Sequence, residues 1–561
     1  MTSDSSFPPS SCVDLLEAKA RDVPDSIYCQ LLEPDWREKG PRDVTYAQVA
    51  RAVDALSWWL DEHLGPSKDF AAFVYHGESD FRYALLIMAA QKTQRKVVIP
   101  QVGRLTHEAL LSILDNTSCN HWISGSPVSM QTAATLSSER PSLQCEQLPP
   151  LDHWLGVDTA TTTRYPYSKA WEEAMRDPLF VIHSSGTTGP PKHFIWTLSM
   201  FSHFNACRDL PDGTVENSHT QNAAWRHKRF LWVPPPTWLG GIMGHLAMPL
   251  YYHTVPVLPP ANAPVPLPSE AVLELLDSIP SLQGAMLTPT HVRDVCRAPD
   301  GLARFQKLGQ VMSGGAAIDP LTGDQLCQQG SGVTLSILYG STEMGAMLMH
   351  PCVKAADWKY YHFDERMGYR MDPRGRGAGE DSGNSNTGQL YELVLDRKPE
   401  YARWQPIFEL FPNKTVHRSE DLFEAHPTKK GLWLHRARAD DLVKLQWLQK
   451  IKAVDIESGL ERHPLVATAL VGGEGRPVPF VILELVSKGG EGREGAKTLE
   501  EEIENMIHEV NEQVVGQVRI PRDKVIVADS GRPFKRLGKG TLDRIGVLAD
   551  YKDDIEKLYN I

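Results

Sequence analysis

The chain has 561 residues, which is too long for one ordinary core and predicts two or more domains. Its hydrophobic share of 41% and charged share of 23% are typical of a soluble globular protein. The 58 basic and 70 acidic residues give a net charge of −12, which argues against broad binding to nucleic acids or anionic membranes.

The eight cysteines are scattered, without a CxxC pair or a zinc-binding spacing, which indicates reduced thiols of a cytoplasmic protein. Residues 1–11 are polar and lack the apolar core of a secretion signal. No run of about 18 apolar residues occurs, so we expect no membrane span. We therefore expect neither nucleic acid nor membrane among the partners.

Short apolar runs of strand type alternate with helical segments through the first 340 residues. The strand-like runs include residues 70–74, 97–99, 231–233, 284–287 and 336–339. Residues 81–91, between the first two runs, have helical character. This alternation favours an α/β fold with a mostly parallel sheet.

The last 120 residues have a different pattern. A strand-like turn near residue 440 precedes a helix at 453–462, a strand at 480–486 and an acidic helix at 500–515. These elements are enough for a small α+β domain. Two segments rich in glycine and polar or charged residues, 373–387 and 489–495, are predicted to be surface insertions.

The most informative loop follows the apolar strand at 179–183. Its residues are Ser184, Ser185, Gly186, Thr187, Thr188, Gly189, Pro190, Pro191 and Lys192. Glycines let successive backbone N–H groups converge on an anion, hydroxyls add donors, and the lysine adds charge, so this loop is predicted to bind phosphate. It is not a Walker A loop, because Pro191 and His193 flank the lysine where that motif needs Gly and Ser or Thr.

A second loop follows the strand at 336–339 and consists of Tyr339, Gly340, Ser341, Thr342 and Glu343. The aromatic ring can stack on a base, Thr342 can donate to a phosphate oxygen, and Glu343 can hold a hard cation such as Mg²⁺. A glycine pair, Gly314 and Gly315, lies between the two loops and is followed by Ala316. Paired glycines allow a flat ligand to approach the backbone closely.

In this order, the loops resemble the signature motifs of the adenylate-forming superfamily. That superfamily contains acyl-CoA synthetases, luciferases and the adenylation domains of nonribosomal peptide synthetases. The resemblance extends from about residue 44 to residue 544. It implies ATP and Mg²⁺ as cofactors. It also implies a large N-terminal domain of layered sheets and helices, 1–438, followed by a small mobile α+β C-terminal domain, 439–561.

Three later segments extend the resemblance. Asp421 stands where the family has the Asp of Thr-Gly-Asp and would accept hydrogen bonds from both ribose hydroxyls, although Ser419 and Glu420 depart from the usual residues. Residues 436–444 resemble the family's hinge, in which Arg438 would reach ribose or phosphate and Asp440 would be the pivot. Taken alone, the aspartate could be a turn residue, and the hinge a solvated charge cluster.

The segment 532–544 resembles the family's closing motif, and Lys539 takes the place of its catalytic lysine. An ammonium between the carboxylate and the α-phosphate offsets negative charge that develops at phosphorus. The form of this segment is most similar to fungal synthetase-like proteins, in which a carrier and a reductase or thioesterase follow the adenylation domain.

The segment after the strand at 231–233 is the predicted acyl pocket, with Trp238 as a wall and Gly240 and Gly241 leaving room beside it. No Asp or Glu occurs between Glu216 and Glu270. A buried α-ammonium without a counter-ion is costly, so an aryl or apolar acid fits better than an α-amino acid. An acid with a quaternary ammonium, held by aromatic faces, remains open, and Trp238 could equally be a core residue.

We therefore predict an ATP-dependent ligase that converts a small carboxylic acid to an acyl-adenylate and pyrophosphate. The acyl group would then pass to a phosphopantetheine thiol of a carrier domain, present in cis or in trans. Three alternatives remain: a free-standing acyl-CoA ligase that uses coenzyme A, a luciferase-like oxidoreductase, and a non-catalytic ATP-binding module. Lys192, Glu343 and Lys539 argue against the last of these.

Overall fold

The computed structural model describes residues 10–559 with gaps. The gaps are 68, 102–104, 159–161, 184–191, 208–224, 316–317, 319, 351–354, 377–388, 439–441, 447–449, 462, 464, 487–498, 513–517, 530, 536–541 and 543.

The first part of the chain alternates strands and helices. Its elements are α1 (Cys12–Asp22), β1 (Ile27–Leu31), α2 (Trp36–Lys39), β2 (Arg42–Thr45), α3 (Tyr46–Leu64), β3 (Ala71–Gly77), α4 (Arg82–Lys92), β4 (Arg95–Val98), α5 (His107–Asn116), β5 (His121–Gly125), α6 (Pro127–Glu139), β6 (Gln144–Gln147), α7 (Leu151–Leu155), α8 (Trp171–Ala174), β7 (Pro178–His183), β8 (His193–Thr197) and α9 (Leu198–Ala206).

The middle of the chain continues with β9 (Arg229–Trp232), α10 (Leu239–Ile242), α11 (Met248–Tyr252), β10 (Val255–Leu258), α12 (Ser269–Ser278), β11 (Gly284–Leu287), α13 (Pro289–Arg297), α14 (Gly301–Leu308), β12 (Gln310–Gly314), α15 (Pro320–Leu326), β13 (Thr334–Leu338), β14 (Gly340–Ser341), β15 (Gly345–Ala346), β16 (Tyr369–Arg376), β17 (Gln389–Asp396), α16 (Ile407–Leu410), β18 (Val416–Ala425) and β19 (Trp433–Arg438).

The last part consists of β20 (Leu442–Lys444), β21 (Lys450–Lys452), α17 (Ala453–Leu460), β22 (Val466–Gly472), β23 (Phe480–Leu485), α18 (Leu499–Glu512), β24 (Val525–Val527), α19 (Arg544–Asp550) and α20 (Lys552–Leu558).

Two mostly parallel sheets form the body of the molecule. The six-stranded sheet has the order β6-β5-β3-β4-β7-β8, and the seven-stranded sheet has the order β13-β12-β11-β9-β10-β1-β2. The antiparallel pairs are β7 with β8 and β1 with β2. The α/β architecture predicted from strand–helix alternation is therefore confirmed.

One buried hydrophobic cluster joins these two sheets. It includes Phe73 and Phe180 of the six-stranded sheet and Phe230 of the seven-stranded sheet. Every residue of α4 is buried, which explains why its sequence is apolar on all sides. The charged residues at its ends are paired: Arg82 with Asp80 at 2.7 Å, and Lys92 with Asp54 at 2.5 Å.

An antiparallel sheet, β16-β17-β18-β19, follows the seven-stranded sheet along the chain. The predicted insertion at 373–387 is partly wrong, because residues 373–376 continue β16 and pair with β17. Residues 377–387 lie outside the described residues. The terminal part has its own sheet, β22-β23-β24, and its own cluster of buried residues, with α17 and α18 near their predicted positions. Within the described ranges, no helix is long and apolar enough to cross a membrane.

Candidate active site

The predicted phosphate loop connects two adjacent antiparallel strands. β7 and β8 pair with His183 opposite His193, so these two strands flank the loop along the chain. Its residues Ser184, Ser185, Gly186, Thr187, Thr188 and Gly189 lie outside the described residues. Lys192 is described and is exposed beside the return strand. On the other side of the loop, His183 is buried and accepts a hydrogen bond at Nε2 from the backbone N–H of Gln101, at 2.9 Å.

The hairpin holds the second predicted loop through one indole. Trp196 of β8 is fully buried and donates Nε1–H to the carbonyl oxygen of Thr342, at 3.0 Å. The loop itself turns tightly: the Met344 N–H donates to Ser341 Oγ at 3.2 Å, and a Cβ on Gly340 would overlap the carbonyl oxygen of Gly345. The structure therefore holds the second predicted loop against β8, the strand that follows the predicted phosphate loop, and position 340 requires glycine.

The glycine pair borders the same loop. Gly314 ends β12 opposite Leu338 of β13, and a Cβ on Gly314 would lie 2.9 Å from the Leu338 Cβ. Gly315 follows with φ of +90°, a conformation that favours glycine. Ala316 lies outside the described residues.

Tyr339 and Asp421 meet across two different sheets. The Tyr339 hydroxyl donates to Asp421 Oδ2 at 2.5 Å, and Asp421 Oδ1 lies 3.4 Å from His435 Nε2. We call these three residues the Tyr339 corner. Burial first, and then the negative charge of Asp421, raise the pKa of Tyr339 well above its ordinary value. Tyr339 therefore remains a hydrogen-bond donor at neutral pH.

The ring of Tyr339 is held by other aromatic rings. Tyr361, Phe363 and Phe423 pack edge-on against it, with ring centroids 5.4–5.7 Å away. Edge-to-face packing fixes the plane of a ring through its quadrupole and through apolar burial. The orientation of a candidate base-stacking ring is therefore set by the protein itself.

A bulge in β18 aims Asp421 at Tyr339. β18 pairs with β17 through Arg418 opposite Val394 and Leu422 opposite Glu392, so three residues of β18 face one residue of β17. Within the bulge, Glu420 has φ of +62°. This is the position where the family has glycine, and the left-handed conformation costs a non-glycine residue roughly 1–2 kcal/mol. Glu420, which replaces the family's glycine, is therefore held in a strained backbone conformation.

Glu343 and His417 lie near enough to influence each other. Burial lowers the pKa of His417, while the negative charge of Glu343 acts in the opposite direction. No group of three or more His, Cys, Asp or Glu side chains that could hold a metal occurs among the described residues. A single carboxylate fits Mg²⁺ carried by a nucleotide, because that ion binds one or two carboxylates and keeps phosphate and water ligands.

The predicted acyl pocket is built from close backbone packing. The Trp238 N–H donates to the Pro235 carbonyl at 3.0 Å, and Trp238 itself is half-buried. A Cβ on Gly241 would overlap that same carbonyl oxygen, whereas a Cβ on Gly240 would have Pro234 Cβ as its nearest neighbour, at 3.9 Å. Position 241 therefore requires glycine, and position 240 does not.

The helix that follows is interrupted by a π-helical turn, Met243–Ala247, between α10 and α11. Such turns are rare and frequently occur at functional sites. His245 in this turn is buried, and burial lowers its pKa to about 3. Its Nδ1 has no hydrogen-bond partner, and the residue borders a cavity of about 30 Å³, large enough for ordered water. We call residues 234–245 the Trp238 corner.

Besides residues 184–189 and Ala316, two further predicted residues cannot be placed, and three contributors were missed. Lys539 and Asp440 lie outside the described residues, and Arg438 is placed only by its backbone, opposite Asp421 in the β18–β19 pairing. The sequence did not indicate His435, Glu392 or Trp196. His435 lies three residues before Arg438 on a strand that was not predicted, and alternation puts residues three apart on opposite faces of a strand, so no local signal indicated it.

Solved structures of low sequence identity share this fold. The amide bond synthetase McbA from Marinactinospora thermotolerans matches 97% of this chain and 100% of its own, with 16% identity and a TM-score of 0.65. The anthranilate CoA ligase AuaEII in complex with anthranoyl-AMP matches 98% of this chain and 99% of its own, with 16% identity and a TM-score of 0.57.

Fungal proteins match nearly all of this chain. A carboxylic acid reductase of Neurospora crassa is 28% identical over 98% of the chain and 50% of its own length. The isocyanide synthase-NRPS hybrid crmA of Aspergillus fumigatus is 26% identical over 97% of the chain and 33% of its own length. The chain thus spans half or less of the length of these two relatives.

Two family models match successive parts of the chain. The model for AMP-binding enzymes matches residues 16–367, and the model for their C-terminal domain matches residues 440–561. The first match includes both nucleotide loops, the glycine pair and the Trp238 corner. The chain therefore belongs to the AMP-binding enzyme family and is an adenylate-forming enzyme that activates a carboxylic acid with ATP and Mg²⁺.

Proposed function

We propose that this enzyme activates an aryl or other non-α-amino carboxylic acid and transfers it to the phosphopantetheine thiol of a carrier domain. The observation that carries the substrate class is the Trp238 corner. The cavity beside this corner is lined by prolines, apolar side chains, Ser79 and the neutral His245, and Trp238, Gly240 and Gly241 are not among its lining residues. The chain has no carboxylate from residue 217 to 269. A buried α-ammonium would lack a counter-ion there.

The first half-reaction would use the acid bound at the Trp238 corner and the nucleotide bound at the Tyr339 corner. A carboxylate oxygen of the acid attacks the α-phosphorus of ATP, the bond to the leaving pyrophosphate breaks, and an acyl-adenylate forms. Asp421 would hold the ribose, Tyr339 the base, and Thr342 with Ser184–Lys192 the phosphates. Glu343 would hold Mg²⁺, which offsets phosphate charge. Lys539 would offset the charge that develops at phosphorus.

The second half-reaction moves the acyl group to sulfur. The thiolate of the carrier attacks the carbonyl carbon, and AMP leaves. The similarity to longer fungal proteins, among them an NRPS hybrid, supports a carrier rather than free coenzyme A. A rotation of residues 439–561 about Asp440 would exchange Lys539 for the thiol between the two steps.

Pyrophosphate exchange with a panel of aryl, aliphatic and α-amino acids tests the substrate class. We expect aryl acids to outcompete their α-amino analogues, and Trp238→Ala to change the order of the acids without changing the KM for ATP. Trp58→Ala, at an exposed tryptophan of α3, is the matched control. Activation of a proteinogenic amino acid with benzoate-like acids inactive would contradict the proposal.

Lys539→Ala separates catalysis from mere nucleotide binding. Because the ammonium is aimed at transition-state charge, we expect adenylation to fall by about 10²–10³-fold. Transfer from supplied acyl-adenylate to a phosphopantetheinylated carrier should persist, and coenzyme A run in parallel identifies the acceptor. Near-normal pyrophosphate exchange in this variant would refute the role of Lys539.

A further inference from the structure

A buried carboxylate lies behind the strained bulge of β18. Glu392 of β17 has a side chain that is 1% exposed. Its Oε1 accepts the backbone N–H of Glu420, at 3.3 Å. Glu420 is the residue with φ of +62°. The strained peptide is therefore tied to a side chain of the neighbouring strand.

Two arginines from the flanking strands hold this carboxylate. Glu392 Oε2 accepts from Arg374 Nε of β16 at 2.7 Å and from Arg418 Nη1 of β18 at 2.5 Å. Arg418 also donates to Asp372, at 2.8 Å. Burial alone would raise the pKa of Glu392, but the hydrogen bonds from the two arginines lower it below its ordinary value. Glu392 is therefore a charged acceptor, which makes the stronger kind of hydrogen bond.

Glu420 immediately precedes Asp421. A strand bulge re-aims the side chain next to it, and here the re-aimed carboxylate meets the Tyr339 hydroxyl. If the Glu420 peptide rotated out of the left-handed region, the Asp421 side chain would turn with it. A family member with glycine at this position has no such strain to offset.

We propose that Glu392 is a positioning residue that holds Glu420 in the left-handed conformation and so aims Asp421 at the ribose of ATP. Glu392 touches no substrate; it acts through the peptide N–H of Glu420. The inference rests on the proposed role of Asp421 in binding ribose.

Calorimetric titration with AMP measures the effect directly. Asp421→Ala is the reference and should weaken AMP binding by at least about tenfold, as expected for loss of hydrogen bonds to a charged group. Glu392→Gln should weaken it by about threefold to tenfold and raise the KM for ATP, with the KM for the acid unchanged. An unchanged affinity in Asp421→Ala would refute the role of Asp421 itself. If AMP binding is weakened in Asp421→Ala but unchanged in Glu392→Gln, the role of Asp421 stands and the inference about Glu392 is overturned.

The double variant separates positioning from general stability. Glu420→Gly removes the backbone strain. In the Glu420→Gly background, Glu392→Gln should therefore change the logarithm of the AMP affinity by less than half as much as it does in the parent protein. Glu420→Ala is the matched control: it removes the same carboxylate but keeps a Cβ, so it should not rescue. Equal rescue by alanine, or rescue by neither, would overturn the inference.

A variant at the exposed rim covers the case in which Glu392→Gln fails to fold. The Arg374 side chain is 47% exposed in the parent protein. Arg374→Gln removes this arginine from Glu392 and leaves Arg418 in place. We expect AMP binding about twofold to threefold weaker, again rescued by Glu420→Gly and not by Glu420→Ala. An AMP affinity equal to that of the parent protein in Arg374→Gln would count against the inference.

Discussion

The Tyr339 corner and the Trp238 corner lie in one enzyme but are built by different physical means. In the Tyr339 corner, hydrogen bonds between segments distant in sequence place Asp421 between Tyr339 and His435, and packing against three aromatic rings fixes the Tyr339 ring. In the Trp238 corner, proline carbonyls and glycines in close backbone contact shape the space. His245 of this corner is buried and uncharged, and its Nδ1 has no hydrogen-bond partner.

This difference matches what each corner is proposed to recognise. A nucleotide presents fixed hydroxyls and charges, and these are bound best by polar groups that are already oriented. An apolar acid presents shape, and its binding gains roughly 25 cal/mol per Å² of apolar surface buried. The nucleotide side should therefore be sensitive to loss of single polar atoms, and the acid side to changes in volume.

The largest expected effect is at Gly241. Gly241→Ala places a Cβ on the Pro235 carbonyl oxygen, so the backbone must shift. We expect a loss of about 1–3 kcal/mol in the free energy of unfolding and a loss of adenylation with every acid. Gly240→Ala is the matched control, since its Cβ has 3.9 Å of clearance, and we expect a change within about 0.5 kcal/mol. Denaturant unfolding and pyrophosphate exchange measure both, and equal behaviour of the two variants would refute the packing argument.

The next effect, about 2 kcal/mol in the free energy of unfolding between pH 7 and pH 5, should appear on acidification. The pKa of His245 is about 3 in the folded protein, below its ordinary value near 6.5, so the unfolded chain binds a proton that the folded chain does not. The contribution of the neutral His245 to the free energy of unfolding is fully present above pH 6.5. It is lost as the pH falls toward 3, by up to about 1.4 kcal/mol per pH unit.

His245→Leu should therefore give a shallower decline in the free energy of unfolding between pH 7 and pH 5. Chemical unfolding at several pH values provides the test, and parallel curves for His245→Leu and the parent would show that His245 is not the titrating group.

The smallest effect should come from a single oxygen in the Tyr339 corner. Tyr339→Phe keeps the ring and its edge-on neighbours but removes the donor to Asp421. We expect the KM for ATP to rise by about threefold to tenfold, in line with the net contribution of roughly 0.5–1.5 kcal/mol from one hydrogen bond, with the order of acids unchanged. Steady-state kinetics with two acids check this. A changed acid preference would show that the two corners are not independent.

The sequence by itself determined the family, the α/β alternation and the order of the site loops. These depend on local features: short apolar runs, glycines where a backbone approaches closely, and a Ser/Thr/Gly loop between two strands. Gly340 illustrates this, because it belongs to a loop singled out from sequence and has a carbonyl where a Cβ would be. Gly241 was singled out for a different reason, as room beside Trp238, and the structure instead packs it against the Pro235 carbonyl. The α17 and α18 helices were likewise predicted close to their observed bounds.

Only the tertiary structure decided which side chains act together. Glu392 and Glu420 are 28 residues apart, and their contact depends on the register of β17 with β18 and on a bulge that no local pattern indicates. The strand character of residues 373–376 was missed for a related reason, since β17 supplies its hydrogen bonds. His435 reaches Asp421 through strand pairing as well. Local composition specifies what a segment can form, whereas the pairing of strands distant in sequence sets the distances between reactive groups.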